Sequence, residues 1–178
     1  NTLIIFKYKI CFNFFENFEN LEELGYGAFT NSGGWNSELR LTKLLQKING
    51  ETFKFSYNVS TLIIPQNISS VGERAFYSMP HLENLIIENA NTPLIIYEDQ
   101  HNSEYNFNKC PIKKVYIDRH INSFISYYSK NMDYFNKLSS LEEVIIGDNL
   151  KVLKEPFRDC ENLKNLELGE HLDSLYLD

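Results

Sequence analysis

The 178-residue sequence has no run of lysine or arginine, and acidic side chains outnumber basic ones by 24 to 17. Nucleic acids and anionic membrane surfaces are bound through clustered basic side chains, and nucleic-acid binding draws on the counterions that those side chains release. A formal net charge of -7 and a pI near 5.2 therefore argue against a nucleic acid as the partner.

Cysteine is also scarce in this chain. The three cysteines, Cys11, Cys110 and Cys160, lie far apart and form no CxxC pair. Disulfide frameworks and zinc sites show cysteines and histidines at short, regular spacings, and none of the four histidines stands at i, i+4 from another. The sequence predicts neither a disulfide scaffold nor a metal site.

No hydrophobic run is long enough to span a membrane. The apolar start over residues 2–6 is short and is soon followed by Lys7 and Lys9. A signal peptide would begin with positive charge and end with small residues, and this segment has neither feature. Because the sequence also does not begin with methionine, we expect a fragment or a mature form without its targeting signal.

No pattern of catalytic residues is present. We find no nucleophile beside a base, no carboxylate pair within an active-site motif, no metal-binding helix and no phosphate-binding loop. Adjacent acidic residues occur at Glu22-Glu23 and Glu142-Glu143, where we predict a solvated surface. The sequence predicts a protein without enzymatic activity or cofactor, and an enzyme of unrecognised type within residues 1–58 is the alternative.

What the chain does contain is an internal repeat, the feature to seek first because it decides the whole fold. A six-residue apolar pattern that begins at residue 59 returns at 82, 112, 141 and 163, so the repeat lengths are 23, 30, 29 and 22 residues. The five copies are Val59-Ser60-Thr61-Leu62-Ile63-Ile64, Leu82-Glu83-Asn84-Leu85-Ile86-Ile87, Ile112-Lys113-Lys114-Val115-Tyr116-Ile117, Leu141-Glu142-Glu143-Val144-Ile145-Ile146 and Leu163-Lys164-Asn165-Leu166-Glu167-Leu168.

The second half of each unit matches as well. With a one-residue deletion, the first repeat aligns with the fourth at six positions: Pro65, Ile68, Val71, Gly72, Ala75 and Phe76 with Gly147, Leu150, Leu153, Lys154, Pro156 and Phe157. Met79, Cys110 and Cys160 then occupy one equivalent place, where we expect them to fill the core. A short strand and a returning turn cannot bury their apolar side alone, so stacked neighbours must close the core for one another.

Upstream of residue 59 the pattern fades. Apolar residues that recur at every third position around Leu21 suggest one earlier repeat boundary, but residues 27–58 fit no repeat. Within them we predict a loop at 31–34, a helix with the apolar face Leu41, Leu44, Leu45 and Ile48, and a strand with alternating Phe53, Phe55 and Tyr57. We therefore divide the chain into an irregular N-terminal region, 1–58, and a continuous solenoid, 59–178.

The first repeat carries a family likeness. Leu62-Ile63-Ile64-Pro65, followed by Ile68, Val71-Gly72, Ala75-Phe76 and Leu82, closely resembles the BspA-type leucine-rich repeat, which reads roughly L-x-x-I-x-I-P-x-x-V-x-x-I-G-x-x-A-F-x-x-C-x-x-L. The repeats that start at 82 and 112 depart from it, because insertions have removed the Ala-Phe step, and the repeat at 141 replaces the Pro and the Gly. The resemblance implies a β-rich leucine-rich-repeat solenoid with a parallel sheet on its concave face and short turns and loops on its convex face.

The resemblance also implies a function. It suggests a secreted or cell-surface protein that binds a protein or glycan ligand on host or neighbouring cells and acts in adhesion. A structural spacer or self-assembling segment of a larger surface protein is the alternative, in which the stacking surface itself is the function.

Side chains alternate across a strand, so the position between two buried strand residues points to the concave face. That position predicts a binding row of Ile63, Ile86, Tyr116, Ile145 and Glu167. An exposed apolar row indicates an interaction surface. The alternative is that β-branched residues simply stack well in a parallel sheet.

Aromatic residues outside the repeat pattern give two more hypotheses. Trp35, the only tryptophan, follows Gly33-Gly34 and is a candidate aromatic anchor of the kind found at interface hot spots, or else it pins its own loop to the core. Tyr127-Tyr128 and Tyr134-Phe135, in the longer part of the repeat at 112, either extend an aromatic contact surface or cover the core of that repeat.

Overall fold

The computed structural model describes residues 2–3, 15, 20–98, 105–124, 135, 138–154 and 157–176. Within these residues short strands alternate with turns, and no α-helix is present. Every pairing among the strands is parallel, and paired strands come from successive repeats rather than from one hairpin. The predicted β-rich solenoid with a parallel sheet is confirmed.

One sheet contains six strands in the order of the chain. Its register is unbroken, since Leu62 pairs with Leu85, Leu85 with Val115, and Val115 with Val144. These residues are buried, so one face of the sheet is a wall of the core. The strands are β3 (Glu38–Arg40), β5 (Thr61–Ile64), β7 (Asn84–Ile87), β9 (Lys114–Ile117), β11 (Glu143–Ile146) and β13 (Asn165–Glu167).

The returning half of each repeat adds a second row of short strands to the turns and loops that the sequence predicted. Val71 and Ile96 of this row are buried in the same core as Leu62 and Leu85, so the core lies between the two rows. A four-stranded sheet contains β4 (Lys47–Ile48), β6 (Ser70–Val71), β8 (Leu94–Tyr97) and β10 (Ile121–Phe124), while β12 (Val152–Lys154) pairs with β14 (Ser174–Tyr176) and β1 (Thr2–Leu3) pairs with β2 (Glu23–Leu24).

Residues 27–58 are more regular than the sequence predicted. The helix expected over 41–48 is wrong, because β3 and β4 lie at 38–40 and 47–48 and pair with strands of the next repeat. The strand expected over Phe53–Tyr57 is also wrong, because residues 51–55 form a turn and Phe55 has a φ of 59°. Bonding to the neighbouring repeat outweighs the local periodicity in both cases. The division of the chain at residue 58 stays a prediction.

A column of phenylalanine rings, which we name the phenylalanine column, runs through the core. Adjacent rings stack with their centroids 5.5–5.8 Å apart, and the members are Phe29, Phe53, Phe76, Phe107, Phe135 and Phe157. The two longer repeats were expected to lack the phenylalanine of the Ala-Phe pair. That prediction is wrong, because Phe107 and Phe135 occupy its place in the stack. Extra residues between strand and phenylalanine lengthen those repeats without interrupting the stack.

The turns around these phenylalanines share one backbone shape. The residue two positions after the phenylalanine has a positive φ at Asn31, Phe55, Ser78, Lys109 and Asp159. Among the first four of these turns, backbone N–H groups link each to the next: from Asn31 to the carbonyl of Lys54 at 2.7 Å, from Phe55 to that of Tyr77 at 3.0 Å and from Ser78 to that of Asn108 at 2.9 Å. The turns therefore form a third bonded column, which we name the turn column.

The residue three positions after a phenylalanine faces the preceding repeat. Its polar hydrogen donates to a phenylalanine carbonyl at 3.0–3.2 Å in three pairs: Ser56 to Phe29, Cys110 to Phe76 and Cys160 to Phe135. Met79 fills the same place and is fully buried. The predicted core role of Met79, Cys110 and Cys160 is confirmed.

One carboxyl group is buried near the turn of the longer repeat that starts at 82. Glu98, which is 6% exposed, accepts hydrogen bonds from the backbone and side-chain nitrogens of Asn106, at 2.9 and 3.3 Å. Asn106 also donates to the carbonyls of Gly72 and Tyr97 and accepts from the backbone N–H of Phe76. Burial raises the pKa of Glu98 to about 8, although the hydrogen bonds from Asn106 oppose the rise.

We expect Phe107→Ala to lower the free energy of unfolding by about 3–5 kcal/mol, because a fully buried ring is replaced by a cavity. Urea unfolding followed by circular dichroism measures the change. Tyr97→Ala is the control, since its ring is 43% exposed and its removal leaves no core cavity. Equal losses in the two variants would contradict the stabilising role of the phenylalanine column.

Glu98 predicts a pH-dependent stability. Its carboxyl group binds a proton more tightly in the folded chain than in the unfolded chain, where its pKa is 4.5. The resulting contribution to the stability of the fold is therefore fully present below pH 4.5 and is lost as the pH rises through about 8. Glu98→Gln cannot ionise, and we expect its urea midpoint to fall less than that of the wild type across this interval. Glu161→Gln, at an exposed carboxylate, is the control and should follow the wild-type profile. A wild-type profile for Glu98→Gln would refute the prediction.

We expect the thiol of Cys110 to be protected from alkylation, because burial raises its pKa to about 12 and only the thiolate reacts rapidly. In a Cys11→Ser background, we expect iodoacetamide to modify the half-buried Cys160 before Cys110. Mass spectrometry of digests taken with and without urea measures the two rates. Modification of Cys110 at the same rate in the native and the unfolded chain would show that the thiol is not protected.

Candidate functional site

The outward side chains of the six-stranded sheet form continuous rows because its strands are in register. The predicted row is one of them, and Arg40 of β3 precedes it in the same register. We name this the outer row: Arg40, Ile63, Ile86, Tyr116, Ile145 and Glu167 pair directly from strand to strand. The structure thus brings all five predicted row residues together on one side of the sheet.

The outer row is not uniformly exposed. Ile86, Tyr116 and Ile145 are half-buried and Glu167 is exposed, whereas Ile63 is only 3% exposed. The guanidinium of Arg40 lies 2.8 Å from the carboxylate of Glu88, which follows β7. Because β3 and β7 flank β5, this ion pair spans the outer face of β5, the strand that contains Ile63. The accessible apolar part of the row is therefore its middle.

Charged residues border the outer row where the strands begin. Lys114 Nζ lies 2.6 Å from Glu143 Oε2 on the adjacent strand, and this hydrogen bond raises the pKa of Lys114. Two more pairs join adjacent strands one residue earlier: Lys113 with Glu83 at 2.9 Å and Lys164 with Glu142 at 3.2 Å. Exposed pairs of this kind add little stability, but they form a polar rim beside the apolar residues.

The other border lies where the strands end. Partial burial raises the pKa of Tyr116, and the charge of Asp118 and the hydrogen bond between the two side chains raise it further. Asp118 Oδ1 also accepts from the backbone and side-chain nitrogens of Asn149, at 2.9 and 3.1 Å. A Cβ at Gly147 would collide with the carboxylate of Asp118, so glycine at this position makes room for it. Tyr116 and Asp118 are thereby held in place.

The members of the outer row were predictable from the sequence, whereas its charged borders were not predicted. Glu88, Lys114, Asp118 and Glu143 each lie two residues from a row member, so strand alternation alone places them on the same face. That signal was available in the sequence. Which charges pair across strands, such as Lys114 with Glu143, emerges only from the register.

The structure places Trp35 in the core. It is 7% exposed, stacks on Phe15 with centroids 5.8 Å apart and meets Phe29 edge-on at 5.0 Å. A ring at that depth pins the loop after Gly34 and presents almost no surface. Phe135 belongs to the phenylalanine column and is fully buried, so the contact-surface interpretation is wrong for it. The tyrosines at 127, 128 and 134 lie outside the described residues.

Buried ionisable groups occur away from the outer row. Glu98 follows β8, and Arg119, which is fully buried, precedes β10 and donates to the carbonyl of Thr92 at 2.9 Å. Both lie in returning halves of repeats. In the part of the chain that the structure describes, no three His, Cys, Asp or Glu side chains group as metal ligands. No described helix has the length and apolar character needed to cross a membrane.

Comparison with protein families gives a match to the BspA type leucine rich repeat region, in six copies over residues 4–133 and 128–177. Comparisons with curated proteins and with solved structures give no match. The family match spans nearly the whole chain and agrees with the six parallel strands of the main sheet. The chain therefore belongs to the BspA type leucine rich repeat family.

Proposed function

We propose that this chain is a binding module without catalytic activity, which holds a protein partner against its outer row. The main support for this proposal is the unbroken strand register, which places Ile86, Tyr116 and Ile145 side by side. All three are half-buried and lie between charged borders. An apolar centre within a polar rim is the usual anatomy of a protein interface. Membership of a solenoid repeat family also supports the proposal, since stacked repeats present extended binding surfaces.

The borders favour a partner with complementary charges. Lys114 and Glu143 pair with each other, and Asp118 is held by Tyr116 and Asn149, so the borders present charges of both signs beside the apolar centre. Aliphatic Ile86 and Ile145 match apolar protein side chains better than hydroxyl-rich glycans, so a protein on a host or neighbouring cell is our preferred ligand. A role in adhesion, at a cell surface or after secretion, rests on the family resemblance.

The test is binding of purified, size-verified monomer to a panel of host matrix proteins, cell surfaces and glycans. We expect saturable binding to a protein, and at least about a tenfold rise in Kd for the double variant Ile86→Glu/Ile145→Glu, because two charges enter the apolar centre. The double variant Leu44→Glu/Gln66→Glu is the control. It adds the same charge at exposed positions outside the outer row and should bind like the wild type.

Other outcomes separate the alternatives. Equal binding by both double variants would show that the outer row is only scaffold. A monomer that binds nothing but self-associates in analytical ultracentrifugation, with the association lost in Ile86→Glu/Ile145→Glu, would establish a self-assembling spacer in place of an adhesion module. Binding to glycans alone would contradict the protein ligand.

A further inference from the structure

The two borders of the outer row differ in how their charges are balanced. Where the strands begin, each lysine lies against a glutamate of the adjacent strand, as Lys114 does against Glu143, so this border is close to neutral. Where the strands end, the charged residues are acidic. Glu88 is paired with Arg40, but within the described chain no lysine or arginine pairs with Asp118. The unbalanced charge therefore lies at the ends of the strands and is negative.

Asp118 is bound only by neutral groups. Its carboxylate accepts hydrogen bonds from the backbone and side-chain nitrogens of Asn149, at 2.9 and 3.1 Å, and is hydrogen-bonded to the hydroxyl of Tyr116. Neutral donors hold a carboxylate in place without cancelling its charge. An ionised carboxylate has roughly four acceptor sites, so Asp118 can still accept from a cation that approaches from solvent.

Two more carboxylates lie around the C-terminal part of the outer row. Glu167 belongs to the row, is exposed and pairs with no cation among the described residues. Asp148 accepts from the backbone N–H of Glu170 at 2.8 Å and lies 4.0 Å from His171, which is charged only if it is protonated. Burial is the main reason why the pKa of Tyr116 is raised, and the charge of Asp148 also contributes, so this carboxylate lies near the tyrosine.

The sequence concentrates negative charge in the same part of the chain. Residues 141–178 contain ten Asp and Glu against four Lys and Arg, in a chain whose formal net charge is -7. Charges of one sign on one part of a surface create a potential that attracts oppositely charged partners and speeds their approach. The C-terminal part of the outer row therefore favours a cationic partner.

We infer that the partner held by the outer row is a basic protein segment, in which lysine or arginine side chains accompany apolar ones. The apolar side chains pack on Ile86 and Ile145, while one cation lies over the ring of Tyr116 and meets the carboxylate of Asp118. Paired strands are about 4.8 Å apart, so the backbone at Glu167 lies about 10 Å from that at Tyr116 and a second cation of the segment meets its carboxylate. This inference rests on the proposed function and adds the charge of the partner to it.

Fluorescence anisotropy of the size-verified monomer with three labelled peptides tests this inference. The peptides are repeats of Lys-Pro-Leu, the counterpart with Glu in place of Lys, and repeats of Lys-Pro-Gly, which keep the charge and lack apolar side chains. The measurements are made at pH 8, where an ordinary histidine is neutral. We expect Lys-Pro-Leu to bind at least about tenfold more tightly than either of the others, with an affinity that falls as salt is added.

Two double variants separate the contribution of charge from that of apolar contact. Asp118→Asn/Glu167→Gln removes two carboxylates and preserves the size of the side chains. Ile86→Thr/Ile145→Thr removes apolar surface and keeps both the branching at Cβ and the charge. We expect each double variant to weaken the binding of Lys-Pro-Leu severalfold. If the loss of the Asp118 carboxylate unfolds the chain, Glu167→Lys at an exposed position tests the same charge and should weaken the binding likewise.

The control is Asp159→Asn/Glu161→Gln, which removes the same charge at exposed positions outside the outer row and should bind like the wild type. Equal weakening by the control and by Asp118→Asn/Glu167→Gln would overturn the inference, because the net charge of the chain would then attract the peptide. Equal binding of Lys-Pro-Gly and Lys-Pro-Leu would overturn it as well, and so would tighter binding of the acidic peptide.

A ligand found in the panel of matrix proteins, cell surfaces and glycans distinguishes failure of this inference from failure of the proposed function. If Ile86→Thr/Ile145→Thr weakens binding of that ligand and Asp118→Asn/Glu167→Gln does not, the outer row binds a partner that is not basic, and this inference alone fails. If neither double variant weakens the binding, both the inference and the proposed function fail.

Discussion

Contact between successive repeats holds this protein together, because no single repeat can bury its own apolar side. Each strand has at most four residues and pairs in parallel with strands of other repeats, so its backbone hydrogen bonds leave the repeat that contains it. The phenylalanine column adds one stacked ring from each repeat, and aromatic stacking contributes about 0.5–1.5 kcal/mol per pair beyond the burial of apolar area. Hydrogen bonding sets a spacing of about 4.7–4.9 Å between neighbouring strands, and the rings stack alongside with their centroids 5.5–5.8 Å apart.

This constraint explains why repeats of unequal length share one sheet. The column ring and the strand must stay in register with those of the neighbouring repeat, while residues between them are free to lengthen the path. Phe107 and Phe135 keep their places in the stack although their repeats are longer than the one that contains Phe76. A chain under this constraint tolerates insertions between strand and ring and does not tolerate loss of the ring.

The same constraint leaves two kinds of position open to function. Outward strand residues contribute nothing to the core, so the outer row varies from Arg40 through Ile86 and Tyr116 to Glu167. The left-handed turn residue likewise has a prescribed backbone but a free side chain, and Phe55 is its one aromatic example among those in the described turns. Side chains that the fold does not require are therefore found at the outward positions of the sheet and at the left-handed positions of the turn column. The outer row lies on the sheet face.

The sequence by itself determined the repeat, the alternation of buried and outward residues and the membership of the outer row, because these depend on local periodicity that survives in each copy. It also contained a signal that went unused: Gly25, Ala28 and Phe29 repeat the spacing of Gly72, Ala75 and Phe76 and mark a turn upstream of residue 58. Local periodicity misled where it competed with pairing between repeats, so that residues 41–48 suggested a helix although the chain forms β3 and β4 there. Only the tertiary structure decided that Trp35 is buried, that Arg40 pairs with Glu88 across β5, and that Lys109 lies over the ring of Tyr77. The Arg40–Glu88 and Lys109–Tyr77 contacts join residues more than thirty positions apart, and their partners are selected by stacking of whole repeats, which no local pattern records.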